Sequence, residues 1–134
     1  MKRIVLYDRH ELHDGKIPEA HKAMVDDIKE NLTRDGSEVI AVFTDNCSEH
    51  IPLHERPEFC KLFRLCSDNE EVEVHVTTMS RISRKISWIA KMCEEMHNLG
   101  YVVTFENEGI TSHEFTKSPV MECFGNAAKK GADR

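Results

Sequence analysis

Short apolar segments alternate along this chain with longer segments of helical periodicity, and this order limits the fold more than any other feature. The segments of strand length span residues 4–7, 38–44, 72–77 and 101–105. The first helical stripe between them consists of Ala20, Met24, Ile28 and Leu32. Because such alternation builds parallel sheets through right-handed crossovers, we expect an α/β domain. The predicted sheet is mostly parallel, has four to five strands and carries helices on both faces.

The complete predicted order is β-α-β-α-β-α-β-loop-α. Helices are expected over residues 18–35, 57–67, 84–99 and 119–130. Pro18 and Pro57 suit first helical turns, Gly36 and Gly100 suit helix ends, and Ser118 is a candidate cap for the last helix. Residues 106–117 are predicted as a loop.

The chain length and charge restrict both organisation and partners. With 134 residues we expect one domain spanning residues 1–134. The formal net charge is −6, so strong binding to DNA by this chain alone is not expected. The apolar segments are too short to cross a membrane, and Asp8-Arg9 ends the first one too early for a signal peptide.

The five cysteines form no CxxC pair, and their number is odd. This pattern is typical of reduced thiols, and we therefore expect a cytoplasmic protein. Cys60, Cys66 and Cys93 fall on apolar helix faces and are predicted to be small core residues.

Four arginines follow three different strands of the predicted sheet. They are Arg9 after the first strand, Arg56 after the second, and Arg81 and Arg84 after the third. The carboxyl ends of parallel strands share one edge, so these side chains should approach one region. The planar guanidinium group suits bidentate contacts with phosphate oxygens. The sequence therefore predicts a site for a phosphate or phosphodiester at this edge.

Two histidine pairs and one loop cysteine offer alternative chemistry. The pairs are His10 with His13 and His50 with His54, and the possible additional ligands are Glu11, Asp14 and Asp45. Because both pairs lie in predicted loops, we expect solvated histidines, with no metal ion and no other cofactor. Cys47-Ser48 could supply a nucleophile, but no base is evident in the sequence, and Cys47 is expected to be an ordinary loop residue.

Several motifs occur in the order found in a known family. They include Tyr7-Asp8-Arg9-His10-Glu11 after the first strand, Arg56-Pro57 before a helix and Ser80-Arg81-Ile82-Ser83-Arg84 after the third strand. Residues 99–103 and 108–112 add two further matching segments. Over residues 2–128 the chain resembles the catalytic domain of the serine recombinases, the resolvase and invertase family.

The resemblance implies phosphoryl transfer in DNA. In this family a serine hydroxyl attacks a phosphodiester and becomes linked to the 5′ end, while arginines stabilise the phosphate charge without a metal ion. By position, Arg9, Arg56, Arg81 and Arg84 correspond to the phosphate-binding groups.

Three departures from the family pattern affect function. Glu11 stands where the nucleophilic serine is expected, and Ser80 replaces an aspartate. A carboxylate at position 11 would repel a phosphodiester. The chain also ends at Arg134, near the start of the family's long helix, so the C-terminal DNA-binding domain is predicted to be absent.

The leading hypothesis is a degenerate recombinase domain that does not cleave DNA. It would touch the DNA phosphate backbone weakly and act in assembly or regulation, as a homo-oligomer or paired with an active recombinase. The alternatives are an active recombinase fragment with an atypical site, or a small phosphate- or nucleotide-binding signalling domain. A metal-dependent phosphoesterase is disfavoured by the predicted loop placement of the histidines.

Overall fold

The computed structural model describes residues 2–12 and 14–117. The strands are β1 (Lys2–His10), β2 (Ser37–Asn46), β3 (Glu73–Val76), β4 (Val103–Phe105) and β5 (Ile110–Thr111). The helices are α1 (Glu19–Arg34), α2 (Pro57–Ser67), α3 (Met79–Ile82), α4 (Ile86–Asn98) and α5 (Ser112–Thr116). The predicted helix 119–130, its cap Ser118, and also His13 and Cys123 lie outside the described residues.

The five strands form one sheet in the order β2-β1-β3-β4-β5. The first four are mutually parallel, and β5 is antiparallel to β4. The predicted mostly parallel α/β architecture is thus confirmed. The elements β5, α3 and α5 fall within segments predicted as loops or connections, because two to five residues are too few to show a periodic pattern.

The helices cover both faces of the sheet, and β1 lies between β2 and β3. Successive side chains of a strand point to opposite faces. Val5 and Tyr7 pack into the larger core with residues of α2 and α4, whereas Ile4 and Leu6 pack against α1. The same alternation continues through the polar end of β1 and divides its last residues between the two faces.

Strand β1 extends to His10, three residues beyond its predicted end. The backbone of β2 pairs with all three added residues, and nearby side chains contact their buried polar groups, so the strand continues through this polar segment. On α1, Met24, Ile28 and Leu32 of the predicted stripe pack against the sheet as expected, but Ala20 is exposed and His21 is buried in its place. The helix ends as expected before Gly36, which has a positive φ of 88°.

Two of the three predicted core cysteines, Cys66 and Cys93, are fully buried. Cys60 is only half-buried and lines a surface groove between α2 and α4, so its predicted core position is wrong. Within the described part of the chain, no helix combines the length and apolar character required to cross a membrane.

Candidate functional site

A pocket of about 470 Å³ lies beside the carboxyl end of β1 and the first turn of α1. Three of the four predicted arginines line it: Arg9, Arg81 and Arg84. The carboxylate residues Glu11 and Glu49 line the same pocket. The pocket therefore brings together side chains from β1, from the segment after β2 and from the segment around α3.

Arg9 is held at the pocket by backbone contacts from two segments. Its Nε donates to the carbonyl of Arg81 at 3.1 Å, and its Nη1 donates to the carbonyl of Cys47 at 2.9 Å. Burial, together with the nearby positive charges of Arg56 and Arg81, lowers the pKa of Arg9. The guanidinium group is thus fixed in position.

Glu11 places its carboxylate against Arg9. Its Oε1 lies 3.5 Å from Arg9 Nη1, and its side chain is 57% exposed at the pocket mouth. The residue at the predicted nucleophile position therefore pairs with an arginine that was predicted to bind phosphate.

The segment around α3 supplies the other two arginines of the pocket. Arg84 is exposed, and its Nε lies 3.4 Å from Oε2 of Glu49. Arg81 Nε is buried without a hydrogen-bond partner among the described residues. Ser80 is exposed on α3 and does not belong to the lining of the pocket.

Arg56 lies outside the pocket lining and is fully buried. Its Nε donates to the Ile51 carbonyl at 2.9 Å, and its Nη2 donates to the Ile82 carbonyl at 2.7 Å. Its Nη1 donates to the carbonyl of Arg81 at 3.2 Å. The guanidinium group thus connects the loop after β2 with the backbone that presents Arg81.

Tyr7 and Asp45 lie next to Arg56 in the same buried network. The Tyr7 hydroxyl donates to Asp45 Oδ2 at 2.9 Å, and burial raises the pKa of Tyr7. Asp45 also accepts the backbone N–H groups of Glu58 and Phe59, both at 2.9 Å, in the first turn of α2. Asp45 thus accepts the free N–H groups at the start of α2 from the neighbouring strand β2, and it does not serve as one of the metal ligands considered above.

A second cluster occupies the opposite face of β1 and consists of Asp8, His10 and His21. His21 Nε2 lies 2.5 Å from Asp8 Oδ2, and His10 Nδ1 lies 3.9 Å from the same oxygen. His10 is 6% exposed, so its predicted solvation is wrong, and burial lowers its pKa. The cause is the extension of β1, which turns Asp8 and His10 toward α1.

His21 is not among the predicted site residues, although the sequence contains a signal for it. It precedes Val25, Ile28 and Leu32 by four, seven and eleven residues, which places it on the apolar face of α1. His50 and His54 are exposed, in agreement with the expectation of solvated side chains.

Cys47 is half-buried near the pocket, and its backbone carbonyl accepts from Arg9. Burial raises the pKa of the Cys47 thiol despite the nearby positive charge of Arg56. A raised pKa reduces the thiolate fraction at neutral pH, so the environment does not activate this residue as a nucleophile.

The fold and the site define a mostly parallel α/β domain with an arginine-lined pocket at the carboxyl end of its central strand β1. Residues 13–131 match the family model described as "Resolvase, N terminal domain". The chain therefore belongs to the resolvase N-terminal domain family and is a serine-recombinase-like domain. No curated protein matches it in sequence.

Solved structures show the same fold. The N-terminal catalytic domain of TP901-1 integrase is 19% identical, with a TM-score of 0.66 over 98% of this chain and 95% of that one. A resolvase family site-specific recombinase from Streptococcus pneumoniae is 16% identical, with a TM-score of 0.69 over 99% and 89%. A serine recombinase from Sulfolobus solfataricus is 22% identical, with a TM-score of 0.61 over 100% and 89%.

Proposed function

We propose that this domain contacts a DNA phosphate weakly through its arginine pocket and does not cleave the strand. The observation that supports this proposal is the contact of 3.5 Å between Glu11 Oε1 and Arg9 Nη1. A carboxylate at this place repels an incoming phosphodiester and competes with it for the arginine. It also lacks the hydroxyl group that forms the family's phosphoserine linkage.

A second ion pair reduces the positive charge of the pocket further. Glu49 pairs with Arg84, so the three arginines of the pocket face two carboxylates of the same chain. With the acidic net charge of −6, the domain has little electrostatic attraction for a duplex. Among the described residues Arg81, unlike Arg9 and Arg84, has no carboxylate within ion-pair distance, so it is the best placed of the three to contact a phosphate.

For Arg56 we propose a positioning role in place of the phosphate contact expected from the sequence. Its guanidinium group donates to the carbonyls of Arg81 and Ile82 and holds the segment that presents Arg81 and Arg84. Ser80 is proposed to have no catalytic role, because it is exposed and lies outside the pocket lining.

The regulatory part of the proposal is self-association in the cytoplasm. A groove of about 630 Å³ between α2 and α4 includes Phe63 and Trp88 in its lining. Its lining carries both charge signs, from Lys91 and Glu95, and a second copy related by twofold symmetry could pair them. Sedimentation of the wild type should show a dimer that Trp88→Glu dissociates, whereas a monomeric wild type would refute this part.

DNA cleavage is tested by incubating the full chain with supercoiled plasmid and searching for a denaturant-resistant protein–DNA adduct. The wild type should relax no plasmid and form no adduct. A wild-type adduct that disappears in Cys47→Ser or Ser48→Ala would establish an atypical recombinase instead. Tight binding of a soluble phosphorylated ligand, without any response to DNA, would favour a signalling domain.

The variant Glu11→Ser tests whether the arginines of the pocket can still support phosphoryl transfer once a hydroxyl group is supplied at position 11. If the arginines retain a geometry suited to phosphoryl transfer, this variant should form an adduct once a DNA-binding domain is fused to it. The same fusion carrying Glu11→Ala should form none, because alanine removes the carboxylate without supplying a nucleophile.

A further inference from the structure

We propose that Asp8, His10 and His21 form a binding site for a divalent transition-metal ion such as Zn²⁺. The three side chains are buried, and their potential ligand atoms all lie within 4.8 Å of one another. Asp8 and His10 lie at the carboxyl end of β1, and His21 lies in the first turn of α1. Regular secondary structure, and not a loop, therefore holds all three side chains. This site goes beyond the proposed contact with DNA and does not depend on it.

Two of the three separations between the ligand atoms are close to those of a metal site. In tetrahedral zinc sites, nitrogen and oxygen ligands lie about 2.0–2.2 Å from the ion, which separates them from one another by roughly 3.3 Å. The measured separations from Asp8 Oδ2 are 2.5 Å to His21 Nε2 and 3.9 Å to His10 Nδ1. These values lie on either side of the required spacing, and each differs from it by less than about 1 Å.

The second, independent observation is an unsatisfied nitrogen. His10 Nδ1 is buried without a hydrogen-bond partner among the described residues, and the nearest acidic oxygen is that of Asp8. Buried polar atoms without partners are uncommon in proteins and often indicate an ion or ligand. An ion between His10, His21 and Asp8 would coordinate this nitrogen.

The surroundings of Asp8 resemble the outer shell of a metal site. Thr77, itself fully buried, donates its Oγ1 hydrogen to Asp8 Oδ1 at 2.6 Å. This bond orients the carboxylate and leaves Oδ2 directed at the histidines, as outer-shell partners of ligating carboxylates do. Two imidazoles and one carboxylate favour zinc, cobalt or nickel over magnesium or calcium, which prefer oxygen ligands.

The proposed ion would face the arginine pocket. His10 and His21 both belong to the lining of the pocket that holds Arg81. Three protein ligands with one position directed to a pocket is the arrangement of zinc sites that bind water or an exogenous ligand. An ion here would add positive charge to a pocket in which Glu11 and Glu49 now balance two arginines.

The test uses the full chain after treatment with a chelator, and Zn²⁺ alone as the probe. Titration calorimetry should show one site per chain, and saturating Zn²⁺ should raise the melting temperature of the wild type. Both His10→Leu and His21→Gln should weaken Zn²⁺ binding at least about tenfold and abolish the rise. His54→Gln, which changes an exposed histidine, should behave as the wild type does.

Cobalt absorption identifies the ligands directly. Co²⁺ should give the visible bands of a tetrahedral nitrogen and oxygen site without a sulfur charge-transfer band. Failure of the wild type to bind Zn²⁺ would overturn the proposal. So would binding that survives in both histidine variants and disappears when the thiols are alkylated. Circular dichroism of the variants without metal checks their folding, and the wild-type result decides the proposal even if one variant is unfolded.

Discussion

At its carboxyl end, β1 carries polar side chains on both faces, and the two faces differ in how many hydrogen bonds these side chains make within the protein. On the side of α2, Tyr7 is bonded to Asp45, and Arg9 is bonded to two backbone carbonyls and approached by Glu11. On the side of α1, Asp8 contacts His21, but His10 Nδ1 has no partner among the described residues. Neighbouring residues of one strand thus belong to two different kinds of polar cluster.

The two clusters show how structural polar groups can be distinguished from polar groups that are candidates for binding a ligand. A buried polar group stabilises the fold only when its bonds are made within the protein. The network around Tyr7 and Arg56 meets this condition, and the cluster around His10 does not. Replacing Arg56 or Asp45 on the first face should therefore lower stability, whereas replacing His10 on the second should change stability little in the absence of metal.

The largest expected effect comes from Arg56→Ala. The substitution leaves the carbonyls of Ile51, Arg81 and Ile82 without their donor and opens a cavity in a fully buried place. We expect the free energy of unfolding to fall by about 3 kcal/mol, measured by urea denaturation. Arg64→Ala, at an exposed position of α2, should change it by less than about 0.5 kcal/mol. Equal losses in the two variants would contradict the structural role assigned to the buried Arg56 guanidinium group.

The next largest effect is expected for Asp45→Ala. This variant removes the acceptor for two backbone N–H groups at the start of α2 and for the Tyr7 hydroxyl. The free energy of unfolding should fall by about 2 kcal/mol. Asp45→Asn retains one acceptor oxygen and should lose less than Asp45→Ala. The opposite order would contradict the assignment of Asp45 as the acceptor for the first turn of α2.

The smallest change in stability is expected on the other face, for His10→Leu without metal. Leucine fills the space of the imidazole ring with an apolar side chain and removes a buried Nδ1 that has no partner among the described residues. The free energy of unfolding should stay within about 0.5 kcal/mol of the wild-type value. A loss above about 2 kcal/mol would show that His10 makes a structural contribution comparable with that of Asp45.

The amino-acid sequence predicts the architecture well, because the long helices and strands show a periodic pattern of apolar residues. Helices α1, α2 and α4 and strands β1 to β4 lie close to their expected positions. The short elements α3, β5 and α5 are too short to show such a pattern. The family motifs also locate the arginines, and three of them line one pocket.

The side-chain pairing within the site depends on tertiary contacts that no local pattern contains. The role of Arg56 arises from carbonyl groups of two distant segments, which meet only in the folded chain. A constant spacing of four drifts by about 40° at each step, so Ala20 lies roughly 80° around the helix from Ile28, whereas His21 lies only about 20° from it. The contact of Glu11 with Arg9 likewise requires the strand geometry of β1.

The most direct test of the central claim compares Glu11→Gln with the wild type in binding a labelled duplex oligonucleotide at low salt. If the Glu11 carboxylate competes with phosphate for Arg9, the variant should bind about threefold more tightly. Glu30→Gln makes the same change of charge at an exposed position of α1 and should bind as the wild type does. Equal affinities of all three proteins would contradict the claim that Glu11 obstructs the arginine pocket.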